Sequence, residues 1–200
     1  MATAFRTSDP GVTASFDEAE RDLLTRLFLD VAEMLEQGLP DDADPLVSLV
    51  GITPEAHVPE DPALARLLPP GTTGDDELAG EFRRFTEMGL RERKSAALRR
   101  AAASLATVRP PERVRRKAAE KAGRLELDRE AAGAWVTALT DVRLVLAERL
   151  GIRTDEDAEE LHDLAESEDE EDPRAWLAAV YDFLTWLQET LVTALSAGLR

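Results

Sequence analysis

The chain has 200 residues, 44% of them hydrophobic, a size and apolar content that allow one domain to bury a core. It contains no cysteine, which excludes disulfides, thiolate metal sites and thiol nucleophiles. Its formal net charge of −17 favours solubility, so contact with DNA is expected to be weak or made through a partner.

At the N-terminus, AFRT and VTASF flank the turn sequence SDPG and predict a small β-hairpin. Ser15 and Glu18 have the spacing of a capping box, and Leu23, Leu24, Leu27, Phe28, Val31, Met34 and Leu35 recur at helical spacing until Gly38 and Pro40. Residues 38–75 are rich in Pro, Gly and Asp. Short helices are expected there near residues 45–50 and 62–68, the second capped by Asp61 with Pro62 at its first position. A long helix starts at Asp75 or Asp76 and runs to about Leu105, with Leu78, Phe82, Phe85 and Gly89 expected on its buried face. Pro110 and Pro111 break it, and residues 112–123 predict a short basic helix. Residues 125–127, LEL, alternate like a strand that pairs with the hairpin. Asp128 caps a helix that Gly151 ends, with Trp135, Leu139, Val142, Leu146 and Leu150 on one stripe. Asp172 and Pro173 open the last helix, with Trp176, Val180, Phe183, Leu187 and Leu191 expected inward. The fold class that follows is mainly α: a single domain over 1–200 of four to five main helices, with a small N-terminal hairpin joined by a short strand near 125–127.

Charge is segregated along the chain. Residues 83–129 carry fifteen Arg or Lys against six Asp or Glu, while residues 155–172 carry twelve carboxylates and no Arg or Lys. Three readings of the basic stretch stay open: a solvated helix face, a dock for an acidic segment in cis or in trans, and a nucleic-acid contact. No Phe, Tyr or Trp lies between Arg91 and Arg129 to stack on bases, and no helix-turn-helix is legible. The candidate partner-binding residues are Arg84, Arg91, Lys94, Arg113, Arg115, Arg116 and Lys117. The acidic stretch 155–172 reads as a connector within the domain.

No pattern argues for catalysis or for a cofactor. His57 and His162 fall in expected loops and lack a second ligand at metal spacing. GTTG at 71–74 precedes a helix but lacks the Lys of a P-loop, and Asp75 and Asp76 would repel phosphate. One residue stands out. Arg143 lies about 40° from Leu139 on the helical wheel, within the apolar stripe, so its guanidinium must snorkel or find a carboxylate. Glu81 is the favoured partner and Glu92 the second choice in this polar clamp.

DPALARLLP at 61–69, DDELAGEFRRFTEMGLRERK at 75–94, AWVTALTDVRLVLAERLGI at 134–152 and FLTWLQETLVTAL at 183–195 resemble an actinobacterial family. It is the oxidative-stress transcriptional regulator family AosR, formerly a domain of unknown function. The resemblance implies control of stress genes together with a sigma factor or the transcription machinery, and gene neighbourhood to the Clp protease adaptor. Thiol redox sensing, associated with that family, cannot operate in a chain without cysteine. The expectation is a non-enzymatic, cytoplasmic regulatory protein that binds a protein partner. The alternatives are an accessory of the Clp proteolytic system and a structural module. No stretch approaches the ~20 apolar residues of a membrane span, and MATAFRTSDP carries no secretory apolar core.

Overall fold

The computed structural model describes residues 2–37, 58–72, 74–108, 123–165 and 173–198. In chain order the elements are β1 (Arg6–Thr7), β2 (Val12–Ser15), α1 (Glu18–Glu36), α2 (Pro62–Leu67), α3 (Asp76–Ala106), β3 (Arg124–Leu127), α4 (Arg129–Leu150), α5 (Asp155–Ala165) and α6 (Pro173–Ala197). The molecule is mainly helical, with one small sheet, as its patterning predicts. The helix expected near 45–50, His57, and the helix expected over 112–123, apart from its last residue, lie outside the described residues.

The sheet is antiparallel in the order β1-β2-β3. Val12 pairs with Leu127 and Ser15 with Arg124. Val12, Ala14, Leu125 and Leu127 are buried, so alternation gives the sheet one face toward the core. Gly11 is required at the hairpin: a Cβ there would stand 1.9 Å from the Leu127 carbonyl oxygen. Pairing in β2 also takes Ser15 away from the helix. The capping box is formed instead by Asp17, whose side chain accepts from Glu20 N at 3.0 Å while Glu20 accepts from Asp17 N at 2.8 Å.

α4 is the central element, packed by α1, α2, α3, α6 and β3. Its Trp135 is fully buried, with Phe5, Phe16 and Phe28 around the indole at centroid separations of 5.7, 5.8 and 5.3 Å. The indole N–H donates to Ser104 Oγ at 2.9 Å, so the ring's one polar group is satisfied inside the core. α4 ends at Gly151, whose φ of 79° favours glycine, and its N–H returns to the Ala147 and Glu148 carbonyls.

α3 differs from expectation. Leu78, Phe82 and Phe85 do not face the core; they are 52%, 49% and 60% exposed, and Gly89 lies on their side of the helix. The buried positions are Arg83, Met88, Arg91, Ser95, Leu98, Ala101, Ala102 and Leu105. A helix advances about 100° per residue, so the inward face of the C-terminal half fixes which residues face inward several turns away. Leu98, Ala102 and Leu105 set that phase against α1 and α4, and the rod then delivers Arg91, Glu87 and Arg83 to the interior. On α6, Val180, Leu187 and Leu191 are buried as expected, Phe183 is partly buried, and Trp176 is 58% exposed.

Candidate functional site

The basic stretch on α3 is largely consumed by the fold. Arg83 Nη1 and Arg91 Nη2 lie 2.8 and 2.7 Å from the two oxygens of Glu87, one turn away on either side. Arg83 Nη2 also donates to the Leu68 carbonyl at 3.1 Å, and Arg91 Nη1 to the Leu35 carbonyl at 2.8 Å. These last bonds tie α3 to the end of α2 and to the open C-terminal turn of α1, where carbonyls lack helical partners. Lys94 pairs with Asp141 of α4, and Asp141 is fully buried. Arg99 grips Glu36 of α1, with Nε to Oε1 at 2.8 Å. The hydrogen bond from Arg99, joined by one from Ser95, lowers the Glu36 pKa to about 2. Burial pushes Asp141 the other way, above the ordinary carboxylate range, with Lys94 opposing.

Two of the candidate partner-binding residues are therefore corrected. Arg91 is buried against Glu87 and α1, and Lys94 is tied to Asp141. Neither offers a free charge to a partner, because the helix phase turns both inward. Arg84 is half-buried. Arg113, Arg115, Arg116 and Lys117 lie outside the described residues. The acidic stretch is not all connector: its first eleven residues form α5, and His162 sits on that helix, its Nδ1 2.7 Å from Asp182 Oδ2 of α6.

The clamp expected between Arg143 and Glu81 or Glu92 does not form. Glu81 and Glu92 are exposed on α3. Arg143 points from the opposite side of α4 toward α6. Its Nη1 donates to Gln188 Oε1 at 2.7 Å and its guanidinium carbon sits 5.2 Å from the Tyr181 ring centroid. Gln188 in turn donates to Thr140 Oγ1 at 2.8 Å. The actual α3–α4 ion pair uses Asp141, two residues before Arg143 and about 200° round the helix. That carboxylate was legible as an anomaly: it stands three residues after buried Ala138 and four before buried Val145. Arg143 also lines a 340 Å³ cleft with Arg66, Arg153, Thr154 and Asp155. There Arg66 and Arg153 share the nearly buried Glu148 at 2.8 and 2.6 Å.

A different surface carries large apolar side chains. Trp176 and Trp186 of α6 are exposed, and Phe183 stacks on Trp186 with centroids 6.2 Å apart and planes at 25°. With about 100° per residue, Trp176, Ala179, Phe183 and Trp186 fall within about 80° of one another, on one stripe. α5 packs beside that stripe and places Asp155, Glu156, Glu159, Glu160 and Asp163 at the surface. The same face of α6 is covered farther along, where Phe5 N donates to Thr190 Oγ1 at 3.3 Å and Thr7 Oγ1 to the Ala194 carbonyl at 2.9 Å. Sequence reasoning missed this surface because Trp176 and Phe183 share the helical spacing of the core residues and sit at the edge of their stripe.

Among the described residues no group of three His, Asp or Glu side chains is placed to hold a metal ion, and no helix is long and apolar enough to cross a membrane. No curated protein and no solved structure matches the chain. A family profile described as "Domain of unknown function (DUF2017)" matches residues 2–195, nearly the whole chain, and the protein therefore belongs to the DUF2017 family.

Proposed function

We propose that this protein is a non-enzymatic regulator of stress-responsive transcription that acts in the cytoplasm by binding another protein, a sigma factor or another part of the transcription machinery. The observation that carries the protein-binding half of this reading is the aromatic stripe of α6, an apolar surface with no partner of its own among the described residues. The transcriptional half rests on the resemblance of residues 61–69, 75–94, 134–152 and 183–195 to the AosR regulators. A net charge of −17 fits a protein that meets DNA weakly or only through its partner, and the basic residues of α3 that enter ion pairs within the fold support the same view.

Affinity capture of the intact chain from an extract of the native cell tests the proposal. Recovery of RNA polymerase or sigma subunits is the expected result. Recovery of Clp components instead favours the accessory role, and recovery of neither overturns the transcriptional reading. Tight binding of purified protein to non-specific duplex at physiological salt, with a steep salt dependence, would also contradict it.

A further inference from the structure

We infer that the stripe formed by Trp176, Phe183 and Trp186 is a docking surface for a basic amphipathic helix of the partner protein; this deepens the proposed function and rests on it. Three observations choose that occupant. The first is continuity. β1 lies over one face of α6 from Thr190 to Ala194, and the same face is left bare from Trp176 to Trp186 among the described residues. The bare length is about three helical turns, or ~15 Å at 1.5 Å per residue, which suits a short helix laying an i, i+3, i+4, i+7 edge into a groove.

The second observation is the rim. Asp182 and Glu189 lie about 40–60° round α6 from Trp186, and α5 adds five exposed carboxylates with no Arg or Lys anywhere on that helix. The only basic residue of α6, Arg174, falls about 160° from the stripe's centre. An aromatic centre with a one-signed rim selects its partner by charge: apolar anchors provide the contact, and Lys or Arg on the partner meet the carboxylates.

The third observation rejects a second copy of this chain. Any such contact would join two molecules that each carry −17, and an antiparallel isologous one would also set each acidic rim against its own image. A basic helix removes that repulsion and gains from the same field.

The test uses the full chain and a dye-labelled synthetic amphipathic helix of leucine and lysine about four turns long, followed by fluorescence anisotropy. A matched helix of leucine and glutamate carries the same apolar edge. The lysine helix should bind and the glutamate helix should not. Binding should weaken as salt is raised, and Trp176→Gln and Trp186→Gln should each weaken it about tenfold or more. Glu189→Lys, an exposed change that leaves the aromatic rings in place, should weaken the lysine helix. Absence of binding, equal binding of both helices, or binding that the Trp variants leave unchanged overturns the inference. So does sedimentation showing that Trp176 and Trp186 hold two copies together. If extract capture still recovers a transcription partner with both Trp variants, the docking surface is wrong and the proposed function stands. If the lysine helix binds as described but no such partner is captured, the surface stands and the proposed function fails.

Discussion

On α3 three charged side chains, Arg83, Arg91 and Lys94, turn inward, whereas on the N-terminal half of α6 the aromatic ones turn outward. Both helices invert the usual distribution, and their consequences differ because of what each side chain finds. Arg83, Arg91 and Lys94 each meet a carboxylate or a helix-terminal carbonyl, so their charges are satisfied by the fold. Trp176 is 58% and Trp186 37% exposed, and Phe183, partly buried against the core, stacks on Trp186, so among the described residues no element covers the outer side of this stripe. A buried charge that is paired is a structural device, and an exposed aromatic cluster that no described residue covers is a surface available to something else. The inversion on α3 arises from helix phase, which one end of a long rod imposes on the other. On α6 it arises because β1 covers only the C-terminal part of a continuous face.

The largest expected effect lies where charge is most deeply buried. Replacing Lys94 by Met leaves the fully buried Asp141 without its counter-ion, and the loss should be roughly 3–5 kcal/mol. Asp141 Oδ2 already lacks a hydrogen-bond partner among the described residues, so the loss of Lys94 leaves neither oxygen with its present bond. The double variant Lys94→Met, Asp141→Leu should recover most of that loss, since an apolar pair of similar size needs no counter-ion. Urea unfolding of the two variants reads this directly. A single variant as stable as the parent would remove the α3–α4 pair from the account.

The two carboxylates that hold α3 should respond to pH in opposite senses. Glu36 has a folded pKa lowered to about 2 from a reference of 4.5, through the Arg99 and Ser95 hydrogen bonds. Its stabilising contribution is therefore complete above pH 4.5 and is lost as pH falls toward 2. Asp141, raised by burial, is easier to hold protonated in the fold, so its ionisation costs stability as pH rises. Glu36→Gln should flatten the stability profile between pH 5 and pH 2, and Asp141→Asn should not. Solvent reaches both Glu36 and Arg99, so the effect stays modest. An unchanged acid limb in Glu36→Gln would contradict the assigned pairing.

The smallest effect is expected for Arg100, which pairs with Glu130 while both stay exposed. Arg100→Ala should change stability by no more than about 0.5 kcal/mol, and that little should vanish in high salt. A loss comparable with that of Lys94→Met would mean that exposure does not separate the two classes of ion pair.

Much of the fold was legible because its signals are local. The SDPG turn, the strand alternation at 125–127, the Asp128 cap, Gly151 and the Trp135–Leu139–Val142–Leu146 stripe each depend on a few neighbouring residues. The phase of α3 depends on contacts made far along the helix, and Leu78, Phe82 and Phe85 form a better apolar stripe than the one that is buried. Apolar patterning there identifies a helix but selects the wrong face. The Arg143 environment was half legible: the snorkelling cation on an apolar stripe was apparent, while Gln188 and Tyr181 answer it from an element more than thirty residues away. The stripe on α6 was hidden for the converse reason, since Trp176 and Phe183 share the spacing of the core positions, and only the placement of β1 and α5 decides which positions stay uncovered.

The contrast between the two helices is tested most directly by giving one residue of each the same replacement and measuring urea unfolding side by side. Arg91→Gln removes the bonds to Glu87 and to the Leu35 carbonyl and should cost about 2–4 kcal/mol. Trp176→Gln removes a large apolar ring from the surface and should cost less than about 1 kcal/mol. The predicted result is that losing the charged side chain destabilises the protein more than losing the tryptophan. The reverse order would contradict the assignment of α3 to structure and of the α6 stripe to binding.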